Sequence, residues 1–142
     1  MFKIKAITKQ HQTEDPNKVA TSLKTILDSE VQEQKIGNEN YLYVESKDHA
    51  SLENLHTLFR QYKILDVARK VLRNNIVDNT TVFFVNKQVA FTGKINFCEE
   101  IGESPLGPIR IEITYDNIDH LIDWLAPYTK NGREIKLVKK FP

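Results

Sequence analysis

The stretch Thr80-Thr81-Val82-Phe83-Phe84-Val85-Asn86-Lys87-Gln88-Val89-Ala90-Phe91-Thr92-Gly93-Lys94-Ile95 decides the fold, because it is the clearest run of β-branched and aromatic residues in the chain. Asn86-Lys87 reads as a two-residue loop. That loop sets Val85 opposite Gln88, Phe84 opposite Val89 and Val82 opposite Phe91 in a β-hairpin. On this register Val82, Phe84, Val89 and Phe91 form the core face. Phe83, Val85, Gln88, Ala90 and Thr92 form a mixed opposite face.

Downstream, residues 102–108 are turn-rich. Ile109, Ile111, Ile113 and Tyr115 then alternate with Arg110, Glu112 and Thr114, the pattern of a strand buried on one side. Ile118, Leu121, Ile122 and Leu125 recur at helical spacing, and Pro127 ends that helix. After Asn131-Gly132 the tail adds a short strand through Ile135 and Leu137. Upstream, Leu52, Leu55, Phe59 and Tyr62 form one apolar stripe. Ile64 or Leu65, Ala68, Val71 and Leu72 form a second. These are two helices broken near residues 63–66, or one bent helix. Residues 30–36 and 41–46 read as strands around the turn Gly37-Asn38. Residues 2–9 alternate, with Phe2, Ile4 and Ala6 on one face and Lys3, Lys5 and Ile7 on the other. Asp15 is placed to cap a helix that begins at Pro16 and runs to about residue 28 through Val19, Leu23, Ile26 and Leu27. The expected order is β-α-β-β-α-α-β-β-β-α. This is an α+β fold with a mixed or antiparallel sheet and helices mainly on one face. One domain is expected over residues 1–127, with residues 128–142 as its basic C-terminal extension.

At 142 residues, folding buries roughly 68–70% of the surface of the unfolded chain. A hydrophobic share of 40% and a charged share of 27% are ordinary for a globular protein and exclude disorder. The single cysteine, Cys98, cannot form an internal disulfide and favours a reducing compartment. The N-terminus lacks the apolar run of a signal peptide, and no stretch is long enough to span a bilayer. A cytoplasmic protein without a membrane partner is the expectation. Net charge is only +1, but it is unevenly distributed. Residues 56–76 carry five bases against Asp66, residues 96–123 seven acids against Arg110, and residues 130–142 five bases against Glu134. Such asymmetry marks either a polyanion site or segments that pair with one another.

Several separated segments, in order, carry a family likeness. They are Arg60-Gln61-Tyr62-Lys63-Ile64-Leu65-Asp66-Val67-Ala68-Arg69, Asn79 to Gln88, Gly93-Lys94-Ile95-Asn96-Phe97, Leu106-Gly107-Pro108-Ile109 and Ile122-Asp123-Trp124-Leu125-Ala126-Pro127. Together they resemble a family of uncharacterised archaeal proteins grouped with RNA-binding, exosome-associated proteins. Those proteins resemble in fold the large-subunit ribosomal protein that binds the small ribosomal RNA. The likeness spans about residues 1–127. It implies the fold and an RNA partner, and no catalytic residue comes with it. The residues it carries over are Arg60, Asp66, Arg69, Asn79, Thr80, Lys87, Gln88 and Asn96.

Asp66, Arg69, Lys70 and Arg73 share one helix face. With Arg60 and Lys63 just upstream, they form a candidate track for successive phosphates, which arginine binds in bidentate fashion. Lys87 at the hairpin tip and Lys94 near its base extend that track, and Phe83 or Tyr62 is placed to stack an unpaired base. The plainer alternatives are a solvated helix face braced by Asp66 and a Phe83 packed in the core. Other chemistry finds less support. Asp116, Asp119, His120 and Asp123 read as an acidic first turn favoured by the helix dipole rather than a metal site. Glu99 and Glu100 are adjacent and diverge on a strand, Cys98 has no histidine near it in sequence, and Leu106-Gly107-Pro108 has too few glycines and N–H groups to cradle phosphate. The expectation is a non-catalytic RNA-binding protein with neither cofactor nor metal. The alternative is an interaction or oligomerisation module, such as a homodimer, whose edge strands and opposite charges pair between subunits.

Overall fold

Period-2 burial in the first strand organises the molecule. In the computed structural model, which describes residues 1–100, 106–135 and 140–141, β1 (Phe2–Gln10) buries Phe2, Ile4, Ala6 and Thr8 and turns the residues between them outward. β1 lies inside a six-stranded sheet of order β2-β3-β1-β6-β5-β4, formed with β2 (Gln32–Ile36), β3 (Glu39–Ser46), β4 (Ile76–Val77), β5 (Thr80–Asn86) and β6 (Pro108–Tyr115). Every pairing is antiparallel. The helices α1 (Pro16–Ile26), α2 (Glu53–Gln61), α3 (Leu65–Asn74), α4 (Lys87–Phe91) and α5 (Ile118–Leu125) supply the other layer. They close over the sheet face that carries Ile4, Ala6, Leu42, Val44, Phe83, Val85, Ile109, Ile111 and Ile113. The α+β class and one-sided helical layer expected from the sequence are therefore observed.

Local signals account for most boundaries. The Asp15 carboxylate accepts a hydrogen bond from the Asn17 amide at 2.9 Å, and Pro16 opens α1 where its missing N–H costs nothing. Lys63, at φ 55°, breaks the 52–72 stretch into two helices rather than one bent helix. Gly37 and Asn38 close a two-residue turn between β2 and β3, with Gly37 at φ 63°. Asn131 and Gly132, both at positive φ, turn β7 (Thr129–Lys130) into β8 (Arg133–Glu134). The tail strand thus begins directly after the turn, and Leu137 lies outside the described residues, as do 102–105 of the turn-rich stretch.

The structure corrects the reading of residues 80–95. β5 stops at Asn86, whose side-chain oxygen accepts from the Val89 amide at 3.0 Å and so caps α4. Residues 88–92 do not return as a strand; the chain comes back antiparallel to β5 only at the bridge between Phe97 and Val85. β5 instead pairs with β6 along its whole length and with the short β4 on its outer edge. A capping Asn followed by Lys-Gln-Val-Ala-Phe satisfies helical spacing as well as alternation. Docking on α1 decides in favour of the helix, through the Thr25 hydroxyl donating to the Ala90 carbonyl at 2.7 Å. The facing is inverted too. Phe83 and Val85 are fully buried, whereas Val82 and Phe84 are half-buried and Phe91 is exposed. The Phe83 ring meets Phe97, which in turn meets Phe59, each at a centroid distance of 5.8 Å. Phe83 is therefore core and unavailable to stack a base.

Chemical denaturation distinguishes the two facings. Phe83→Ala should cost about 3–5 kcal/mol, as a buried aromatic truncation does. Phe84→Ala on the half-buried side should cost about 1 kcal/mol.

Candidate functional site

The cations predicted to form a phosphate track do not converge, and four of them, Arg60, Arg69, Arg73 and Lys87, are already paired with carboxylates of the protein itself. The Arg60 guanidinium donates to the Glu134 carboxylate at 3.0 and 3.1 Å and to the carbonyls of His56, Leu125 and Trp124. It fastens the β7–β8 hairpin to α2. Arg69 is only 7% exposed. It pairs with Asp123 of α5 at 2.9 Å, donates to the Ala126 carbonyl at 3.2 Å and lies 3.7 Å from the centre of the Tyr128 ring. Asp66 does not brace Arg69 or Lys70; its carboxylate accepts from the Thr129 hydroxyl at 2.7 Å. Arg73 is partly exposed and faces Asp119 at 3.5 Å. Lys63, Lys70 and Lys94 are exposed. Lys63 lines a cavity beside Asp66 and Glu134, whereas Lys70 lines a different one beside Glu99 and Glu100. Three of the five bases of residues 56–76 thus pair within the chain, two of them with acids of α5.

Lys87 departs furthest from expectation. It is not a hairpin tip but the first residue of α4, 2% exposed. All three of its N–H donors are engaged, by the Lys9 carbonyl at 2.7 Å, the Leu106 carbonyl at 2.9 Å and the Glu14 carboxylate at 3.1 Å. Glu14 also accepts from the His11 amide at 2.9 Å and contacts its Nδ1 at 2.8 Å. Burial pushes the Lys87 ammonium below its ordinary range, against the opposing pull of Glu14. Burial raises the Glu14 carboxyl, but the hydrogen bonds from the His11 backbone and ring and from Lys87 outweigh it and hold the group below its ordinary value. This is a structural clasp joining the end of β1, the start of α1 and the entry to β6.

What the strand order does assemble is the other face of the sheet. Ile7 stands between Tyr43 and Arg110, Tyr43 beside Gln32, and Arg110 beside Phe84. These five side chains form one row across five strands. The next row runs Glu45, Lys5, Glu112 and Val82. Tyr41 and Lys9 stand opposite each other on the far side of Tyr43. The residues of this face in β1, β3, β5 and β6 are partly to fully exposed, because the described helices pack on the opposite side. The Lys5 ammonium sits 4.6 Å from the centre of the Tyr43 ring. Lys9 pairs with Glu39 at 2.7 Å, Lys3 with Glu45 at 4.0 Å and Arg110 with Glu112 at 2.9 Å. All these pairs are solvent-exposed, and such pairs hold by only ~0–1 kcal/mol. Sequence reasoning missed this platform. Alternation had already set Lys3, Lys5, Arg110 and Glu112 opposite the core, but single-strand patterns do not show which strands become neighbours.

Among the described residues no cluster of His, Cys, Asp and Glu could hold a metal ion, and no helix is long and apolar enough to cross a membrane. Fold and face together define a two-layer α+β protein with an open sheet surface that carries aromatic rings and paired charges of both signs. The chain belongs to the family whose model, described as RNA binding, matches residues 3–115, and to the archaeal UPF0201 proteins. It is 41% identical over 133 residues to a UPF0201 protein of Sulfurisphaera tokodaii, covering 93% of this chain and 92% of that one. A Sulfolobus acidocaldarius relative is 41% identical over 121 residues, covering 84% and 83%. The crystal structure of the UPF0201 protein from Methanococcus jannaschii superposes with a TM-score of 0.82 at 30% identity, covering 94% of this chain and 98% of that chain.

The clasp can be tested by stability. Lys87→Met leaves the Glu14 carboxylate buried without its partner and should cost about 3–5 kcal/mol. A carboxyl held below its ordinary 4.5 stabilises the fold above that pH, and the contribution is lost as the pH falls through the lower folded value. Unfolding free energy measured from pH 6 down to pH 3 should therefore decline less steeply in Glu14→Gln than in the parent.

Proposed function

We propose that the protein binds single-stranded RNA, without catalysis, on the open face of its sheet. The observation that carries this reading is the row Gln32, Tyr43, Ile7, Arg110 and Phe84, with Lys5 over the Tyr43 ring. Sequence-tolerant recognition of unpaired RNA needs flat rings on which bases stack and cations that follow the backbone. Tyr41, Tyr43 and Phe84 supply the rings. Lys3, Lys5, Lys9 and Arg110 supply the cations. Phosphates compete with the exposed carboxylates for three of these cations, and exposed ion pairs yield readily. The family's description as RNA binding supports the partner, and its match to residues 3–115 includes every residue of the platform.

The exposed cations of the helical layer are secondary in this proposal. Lys63, Lys70 and Lys94 give no continuous strip, and Arg60, Arg69 and Lys87 hold the fold together. An association with the exosome is what the sequence resemblance implies, and a cytoplasmic setting is what the single cysteine favours. Such an association suits a module that grips RNA and leaves cleavage to others.

Fluorescence anisotropy with a labelled single-stranded oligoribonucleotide tests the proposal. Tyr43→Ala and Phe84→Ala should each weaken binding about tenfold, within the ~1–3 kcal/mol that one stacked base contributes. With four cations meeting phosphate, log K should fall against log salt with a slope of about −3. Lys63→Ala and Lys94→Ala should bind as the parent does. Parental affinity in a Lys5→Ala/Tyr43→Ala double variant, or loss of affinity in Lys63→Ala instead, refutes the sheet as the site.

A further inference from the structure

β2 ends the sheet, and all five of its residues, Gln32-Glu33-Gln34-Lys35-Ile36, are exposed. Its register with β3 fixes which backbone groups are left over. Gly37-Asn38 is a two-residue loop, so the flanking pair Ile36 and Glu39 exchanges both hydrogen bonds. Alternation then directs the amides and carbonyls of Gln34 and Gln32 towards β3. Those of Glu33 and Lys35 point away from the sheet.

We infer that this edge pairs with β2 of a second copy of the chain, antiparallel and about a two-fold axis through Gln34. Three features of the strand agree on that register. The outward backbone groups belong to Glu33 and Lys35, which such an axis sets opposite each other, so each N–H meets the partner's C=O in a hydrogen-bonded pair. The same register faces every Glu33 carboxylate with the Lys35 ammonium of the other copy, twice over by symmetry. The two Gln34 side chains meet on the axis in a non-hydrogen-bonded pair, where side chains approach most closely and two amides can bond each other. Ile36, 52% exposed, then covers Gln32 of the other copy. A shift of two residues in either direction loses both charge pairs. The occupant is a second copy rather than an unrelated strand because the charge pattern is complementary to its own reversal. Five residues bury little area, so the association is weak and depends on concentration. Two six-stranded sheets would join edge to edge.

Sedimentation equilibrium of the full chain over a wide concentration range tests this independently of RNA. The parent should self-associate to a dimer. Glu33→Lys and Lys35→Glu each replace both attractions with repulsions and should weaken the dimer by about tenfold or more. The double variant Glu33→Lys/Lys35→Glu restores opposite charges at both positions and should recover parental dimerisation. All four positions that change sign across the dimer are exposed, so circular dichroism should be identical for every variant. A chain that stays monomeric at all concentrations overturns the inference. So does a dimer unmoved by either single reversal, or a double variant no better than the singles.

Discussion

A sheet that buries only one of its faces imposes the constraint on which everything else rests. Side chains alternate along each strand, so a one-residue shift in register would exchange the core for the solvent face. In β1 the alternation is enforced from both sides. Ala6 meets Val44 on β3 and Ile111 on β6, while Lys5 meets Glu45 and Glu112. Slippage would drive Lys5 under the helices and lift Ile4 into water, an exchange that costs several kcal/mol for the unpaired charge alone. The same rule reaches β5 through β6, where Phe83 meets Ile111 and Phe84 meets Arg110. The inward position of Phe83 is thus fixed by the neighbouring strand, not by its own run of residues.

Charge follows the same logic. A near-neutral chain with strongly polarised segments can present its cations to a polyanion or use them internally. Here the basic α3 lies against the acidic α5, and Arg69 and Arg73 meet Asp123 and Asp119. Arg60 meets Glu134 of the hairpin that follows. The pair of Arg73 with Asp119 is exposed, whereas the largely buried pairs of Arg69 with Asp123 and Arg60 with Glu134 add little net stability compared with an apolar replacement, yet penalise any packing that separates them. Their role is to fix how α2, α3, α5 and the β7–β8 hairpin sit together. Arg60 and Arg69 used this way are not free to meet phosphate, and the exposed cations left on α3, Lys70 and Arg73, stand beside Glu99, Glu100 and Asp119.

Much of the architecture was legible because it rests on local chemistry. The Asp15 cap with Pro16, the Gly37-Asn38 turn, the alternation of β1 and β6 and the stripe of α5 each use forces within a few residues. What was not legible depended on partners distant in sequence. Asn86 to Phe91 is compatible with a return strand or a short capped helix, and only contact with α1 separates them. Arg69 and Lys70 look alike on a helical wheel, and Asp123 with the Tyr128 ring makes one a buried anchor and leaves the other in water. Lys87 is drawn inward by a carboxylate 73 positions earlier. The open face needed strand order above all. Its tyrosines and cations come from β1, β3 and β6, and nothing in any one segment says that these lie side by side.

Strand order also decides whether the two proposed surfaces interfere with each other. Stacked bases approach along the normal to the sheet, over Tyr43, Ile7 and Phe84. A second copy approaches within the plane of the sheet, through the edge of β2. The two directions are perpendicular, so neither partner covers the other. Gln32 stands at the junction, in the same cross-strand row as Tyr43 and on the edge strand itself. Pairing at that edge would carry the aromatic row of one copy towards that of the next. One RNA strand long enough to cross the axis would then meet two platforms, and its second contact would be intramolecular and gain from effective concentration. A face with only a few stacking rings and cations is weak by itself. Its placement next to an exposed, self-complementary edge gives the fold a route to tighter binding that needs no further contact residues.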